Sequence, residues 1–180
     1  MNVNTPAVRK LAEALLQSGE RPSSVVSSAY QTLTRQGLLS DAELHALSRV
    51  DPVAETMFLM MAADGKLSAE ERVAIRGAIR GLTGDALQDG VIDVMLENYQ
   101  TQLVRDGREG RLKRIVSILG QNSEDAEGAF ALAAAVALVD QRLDATETEL
   151  IHQLAQWFGI SATRADAILN QLQDASAGQS

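Results

Sequence analysis

One eight-residue phrase occurs twice in this chain, and the duplication constrains the fold more than any other feature. The first copy is residues 64–71 (Asp-Gly-Lys-Leu-Ser-Ala-Glu-Glu) and the second is residues 140–147 (Asp-Gln-Arg-Leu-Asp-Ala-Thr-Glu), with matching positions 76 residues apart. Each copy follows a strongly apolar segment and precedes another segment of helical periodicity. Each copy is therefore predicted to form a turn between two helices.

The same offset aligns apolar positions well beyond the phrase. The aligned pairs are Met60 with Val136, Ile75 with Ile151, Ala78 with Leu154, Leu82 with Phe158, Ile92 with Ile168 and Leu96 with Leu172. Because these pairs span two helical segments and the turn between them, the repeated unit is interpreted as a three-helix module. The period is too long for a solenoid, so the two copies predict one pseudo-symmetric domain.

The composition predicts an all-α protein. Aromatic residues make up only 3% of the 180 residues, and the alternation of β-branched residues that strands need is missing. The periodic segments predict a single compact bundle of about 8–10 helices. Its two pseudo-repeats, about 52–104 and 124–173, lie in a domain of residues 39–173. Residues 1–38 are predicted to be a helical extension that packs on this core, and residues 174–180 a disordered tail.

Local signals predict several helix boundaries. Asp51-Pro52 is interpreted as the start of a new helix over 52–63, because proline favours the first helical position. The pair Asp106-Gly107 is expected to interrupt the helical pattern. Ser40 and Ser68 are expected to cap the helices that follow them. The apolar helix over 124–139 is expected to be the most buried element.

Two further patterns have structural interpretations. The stretch 105–114 carries five basic residues against two acidic ones and no aromatic residue, so it is interpreted as a solvated helix start and not as a nucleic-acid groove. The Gly77 to Gly81 spacing in a soluble helix is expected to mark a close contact between helices.

Charge and missing motifs exclude several functions. The net charge of −8 disfavours nonspecific binding to nucleic acid, and the absence of cysteine excludes thiolate catalysis and thiolate metal sites. There is no nucleophile elbow and no Walker loop, so no enzyme is predicted. The longest apolar run, 129–139, is shorter than the roughly 20 residues that span a bilayer. No direct membrane insertion is predicted, and the expected location is the cytoplasm.

The acids of the phrase admit two interpretations. Glu71 with Ser68, and Glu147 with Asp144, have the spacing of a capping box, which is a purely structural role. Asp64 and Asp140 each fall at the C-terminal end of a helix, where the helix dipole disfavours a negative charge. Their compensation could come from turn N–H groups, from a basic neighbour, or from a bound hard cation. Oxygen-only ligands would favour Ca²⁺, Mg²⁺ or Mn²⁺.

The phrase and its setting resemble a known bacterial family. Residues 62–71 (Ala-Ala-Asp-Gly-Lys-Leu-Ser-Ala-Glu-Glu), which follow an apolar helix and recur in weaker form in an all-helical chain, are similar to the tellurite-resistance TerB-like family over about residues 41–172. The resemblance implies a compact helical bundle of two pseudo-repeats whose acidic positions have been linked to divalent cations. It implicates Asp64, Glu71, Asp140 and Glu147 as metal ligands, with Asp144 as an extra candidate.

The resemblance also implies a function in tellurite and general stress resistance. The expected function is a non-enzymatic module that binds Ca²⁺, Mg²⁺ or Mn²⁺ through these acids, with protein partners that include membrane-associated ones. The alternative is a helical protein-interaction scaffold in which the same acids only cap helices. The chain departs from the family pattern at Gln141, where glycine is usual, and nothing in the sequence recognises an oxyanion.

Overall fold

Every regular element that the structure describes is an α-helix. The computed structural model describes residue 37 and residues 39–62, 65–138 and 145–177, without the side chains of 145–147 and 175–177. The predicted helices of residues 1–36 lie outside this part of the chain. The described helices are α1 (Asp41–Met61), α2 (Ala69–Thr83), α3 (Asp89–Leu119), α4 (Ser123–Ala137), α5 (Ala145–Trp157) and α6 (Ala162–Ala177). The all-α prediction is confirmed, with six helices in the described residues.

Helix α1 is continuous through Pro52, so the predicted restart at that proline is wrong. The helix begins with a complete capping box between Ser40 and Glu43, as expected, and then runs to Met61 without a break. An internal proline removes one helical hydrogen bond and costs about 3 kcal/mol. Burial of the side chains on both sides of Pro52, among them Val50 and Val53, compensates for that cost.

Helices α1 and α4 form the centre of the core. Residues 51–61 of α1 are all buried, and α1 packs against α2, α3, α4 and α5. Nearly all of α4 from Ala126 to Ala137 is buried as well, which confirms the prediction that this helix is the most enclosed element. Helix α6 packs on α4 and α5. The last helix continues to Ala177, into the segment 174–180 that the sequence assigns to a tail.

Glycines on α2 do not mark a helix contact. Gly77 and Gly81 are both exposed, and a Cβ atom at either position would meet no heavy atom within 4 Å. The core-facing side of α2 carries Ile75 and Ile79, which are fully buried, so the two glycines face the opposite way. The expected close packing at this pair is therefore wrong within the described residues.

Helix α3 is interrupted at Gly107, as the sequence predicts. Its backbone there has φ 69° and ψ 163°, which lies outside the helical region, and regular helix resumes after it. This conformation is essentially restricted to glycine. The interruption divides α3 into two segments that both pack along α1.

No helix in the described ranges combines the length and the apolar character needed to cross a membrane.

Replacement of Gly107 by alanine should destabilise the protein. A Cβ at this position meets no atom within 4 Å, so the whole penalty comes from the backbone conformation, roughly 1–3 kcal/mol. The matched control is Gly77→Ala, which lies within regular α2 and should stabilise by roughly 0.5–1 kcal/mol. Urea unfolding of the two variants checks this, and a Gly107→Ala variant as stable as the control would contradict it.

Candidate functional site

The structure describes only some of the four predicted metal ligands. Asp64 and Asp140 lie outside the described residues. Glu147 belongs to the first turn of α5, but its side chain is also outside that part of the chain. Glu71 is thus the one predicted ligand whose side chain can be compared with expectation.

Glu71 acts as a helix cap. The Ser68 backbone N–H donates to Glu71 Oε2 at 2.6 Å, and the Glu71 backbone N–H donates to Ser68 Oγ at 3.2 Å. This reciprocal pair is the capping box that the sequence predicts, and it occupies one of the two carboxylate oxygens. Among the described residues, no group of three or more His, Cys, Asp or Glu side chains is arranged to hold a metal ion.

Two side chains of α3 hold the turn that carries the first phrase. Arg108 Nη2 donates to the Ala62 carbonyl oxygen at 2.7 Å, and Gln100 Nε2 donates to the Gly65 carbonyl oxygen at 2.9 Å. The Gly65 N–H also donates to the Ala62 oxygen, at 3.0 Å, and closes the turn. Gly65 has φ 96°, a conformation that favours glycine. The turn is therefore fixed on both sides of positions 63 and 64.

A buried ion pair joins the second segment of α3 to the middle of α1. Arg111 Nε lies 2.5 Å from Glu55 Oε1, and both side chains are almost fully buried. Arg111 Nη1 also donates to Asp106 Oδ2 at 3.1 Å. Burial lowers the pKa of Arg111, but the hydrogen bond and the charge of Glu55, together with Asp106, outweigh burial and raise it. Arg111 therefore stays charged inside the core.

A second buried carboxyl lies one helical turn earlier on α1. The Tyr99 hydroxyl is 2.8 Å from Asp51 Oδ1 and donates to it, and it also lies 3.1 Å from the Asp51 carbonyl oxygen. Burial raises the pKa of Asp51 from an ordinary 3.8 to about 6. The Tyr99 hydrogen bond opposes this rise, the charge of Glu55 adds to it, and the charges of Arg114 and Arg111 oppose it.

This buried network is absent from the sequence prediction. The stretch 105–114 was expected to be a solvated helix start, but Arg111 is 3% exposed and Arg108 is partly buried. The interpretation is therefore wrong for these two residues. The available signal is that Asp51 and Glu55 lie one helical turn apart in a mostly apolar segment, because two buried acids on one face require a basic partner.

The buried network of Asp51, Glu55, Tyr99 and Arg111 has a structural role. Its Arg, Asp, Glu and Tyr groups are paired with one another, and such pairing fixes the register of α1 against α3. No nucleophile is activated by these contacts.

A family comparison agrees with this architecture. The model of the family described as tellurite resistance protein TerB matches residues 51–170. The chain belongs to the TerB family. The TerB match begins at Asp51, the first residue of the buried network, and includes both acidic phrases. No curated protein and no solved structure matches the chain.

Asp51 makes the stability of this TerB-family domain depend on pH. Because its pKa is raised in the folded state, the folded protein keeps a proton between about pH 4 and pH 6 that the unfolded chain releases. The contribution of protonated Asp51 to the free energy of unfolding is complete below pH 4, and it is lost as the pH rises through 6. Asp51→Asn should therefore stabilise the protein at pH 7, with little effect at pH 4, in urea unfolding measured across this range.

Tyr99→Phe tests the hydrogen bond between Tyr99 and Asp51 by an effect opposite to that of Asp51→Asn. It removes the hydroxyl that stabilises ionised Asp51, so it should steepen the fall in stability between pH 4 and pH 7. The assignment fails if Asp51→Asn leaves the pH dependence of the unfolding free energy unchanged.

Proposed function

We propose that this TerB-family chain is a non-catalytic bacterial module that acts in the cytoplasm in tellurite and stress resistance. It binds a divalent cation, Ca²⁺, Mg²⁺ or Mn²⁺, through the acids of its two phrases. Asp64 and Asp140 are the principal ligands, and Glu71 and Glu147 are the secondary ones. Its partners are other proteins, including proteins at the membrane.

The main support is that the family match contains both phrases in equivalent settings. Helices α2 and α5 begin at Ala69 and Ala145, which are 76 residues apart, the same offset as the phrases. The two phrases thus stand before equivalent helix starts, in two halves that we propose to be pseudo-repeats. The aligned apolar pairs are all buried: Met60 and Val136, Ile75 and Ile151, Ala78 and Leu154, Leu82 and Phe158, Ile92 and Ile168, Leu96 and Leu172.

The chemistry of the donors limits which ions fit. The available ligands are carboxylate and backbone oxygens, which suit hard cations. Glu71 can offer only the oxygen that its capping box leaves over, and Ala62 O already accepts two hydrogen bonds. Most of the coordination would therefore fall to the aspartates and to water.

A protein-interaction scaffold is the second candidate, and one observation favours it. The same turn is already held by the Glu71 cap and by Arg108, so it has a complete structural role without a metal. In that case the acids would be helix caps and turn formers, and exposed apolar side chains such as Val73 and Val104 would be available to partners.

Thermal unfolding with and without metal distinguishes the two functions. Millimolar Ca²⁺, Mg²⁺ or Mn²⁺ should raise the melting temperature by a few degrees, since a ligand at ten times its Kd stabilises by about 1.4 kcal/mol. Asp64→Asn combined with Asp140→Asn should abolish this increase.

The control carries the same change of charge away from both phrases. Asp166 and Asp174 are exposed on α6, and Asp166→Asn combined with Asp174→Asn should leave the increase intact. A wild-type melting temperature that is identical in metal and in EDTA would leave the scaffold as the function.

A further inference from the structure

We infer that Asp51 and Arg114 form a proton-controlled ion pair between α1 and the second segment of α3. Arg114 takes Oδ2 of Asp51 when the carboxyl loses its proton, and it releases this oxygen when the proton returns. The pH-sensitive contact goes beyond the proposed function, because it involves neither acidic phrase and no metal.

The second segment of α3 runs antiparallel to α1. Arg108 contacts the C-terminal end of α1, and Arg111, one turn further along α3, contacts Glu55 in the middle of α1. Residues three or four positions apart lie on the same face of a helix. The next turn of α3 carries Arg114, and the preceding turn of α1 carries Asp51. The register of the two helices therefore places Arg114 beside Asp51.

Asp51 and Arg114 each keep a charged group that pairs with no described side chain. The Tyr99 hydroxyl donates to Oδ1 of Asp51, and Oδ2 accepts no hydrogen bond from a side chain in the described residues. Arg114 is partly buried, and within the same part of the chain its guanidinium makes neither a hydrogen bond nor an ion pair. A guanidinium and a carboxylate oxygen make a strong charge-assisted hydrogen bond. The two groups are thus complementary across the α1–α3 interface.

Charges of α1 and α3 set the pH at which this contact changes. Burial raises the pKa of Asp51 from an ordinary 3.8 to about 6. The Tyr99 hydrogen bond and the charges of Arg114 and Arg111 oppose the rise, and the charge of Glu55 adds to it. Helices α2, α4 and α5, which also pack on α1, supply none of these groups. The ionisation of Asp51 is therefore controlled from the α1–α3 interface.

Arg111 is already engaged by other carboxylates. Its Nε is paired with Glu55, and its Nη1 donates to Asp106 Oδ2 at 3.1 Å. Arg114 has no such competing partner among the described residues. Ionised Asp51 therefore recruits Arg114, and a second ion pair forms one turn from that of Arg111 and Glu55.

The effect of Arg114 on stability has a defined direction with pH. Because the ion pair needs ionised Asp51, its contribution is complete well above pH 6 and is lost as the pH falls through 6. Arg114→Gln removes the charge and keeps a polar side chain, so it should raise the pKa of Asp51 further, by roughly one unit.

The first experiment is an NMR titration of the full chain that follows both side chains. The Cγ signal of Asp51 and the Nε–Hε signal of Arg114 should titrate with the same midpoint, near pH 6. Asp51→Asn should remove this titration from the Arg114 signal. An Arg114 signal that does not follow the ionisation of Asp51 would overturn the inference.

The second experiment compares variants by the Asp51 midpoint and by urea unfolding at about pH 4.5 and about pH 8. Arg114→Gln should raise the midpoint and should lose stability against the wild type only at the higher pH. Arg114→Lys keeps the charge and should restore most of the wild-type profile. Lys113→Gln is the matched control, because Lys113 is exposed on the same segment and paired with Glu109, and it should leave the midpoint unchanged.

Two results of these measurements would contradict the ion pair. A loss of stability in Arg114→Gln that is equal at both pH values, with an unchanged Asp51 midpoint, would show that Arg114 contributes by packing alone. An equal rise of the midpoint in Lys113→Gln would show a general effect of net charge and no specific contact.

Discussion

Burial of the second half of α1 on all sides is the constraint from which most of this structure follows. That segment includes two carboxyl groups, Asp51 and Glu55, in a region filled mostly by apolar side chains. A buried charge is tolerated only when it is paired and hydrogen-bonded. Tyr99 and Arg111 meet this demand from α3, so α3 must lie along α1 over both of its segments.

Features that depend on near neighbours in sequence could be predicted. The caps at Ser40 and Ser68, the break at Gly107 and the enclosed character of α4 all follow from signals within a few residues. Pro52 shows the limit of this reasoning. Its local signal favours a helix start, but burial of the surrounding side chains outweighs the cost of an internal proline.

Only the part of the candidate site that depends on residues close in sequence could be predicted. The Glu71 cap follows from spacing, whereas the contacts that fix the same turn come from residues 35 and 46 positions away in the chain. The partner of Glu55 is similarly remote, at a separation of 56 positions. Helical periodicity identifies which face of α3 is apolar, but it does not reveal that arginines on that helix reach inward. Such pairs become visible only when the packing of α1 on α3 is known.

The two acidic phrases differ at their second position, which is glycine in the first and glutamine in the second. Gly65 has φ 96°, and the aligned position in the second phrase is Gln141. A glutamine in the same backbone conformation would carry a strain of roughly 1–3 kcal/mol. Identical geometry in both turns would therefore be costly, whereas the aligned core positions of the proposed repeats are apolar and buried in both halves. Any functional difference between the halves is accordingly expected at the turns and at the α3 side chains that hold the first of them, while the shared core keeps the helices in place.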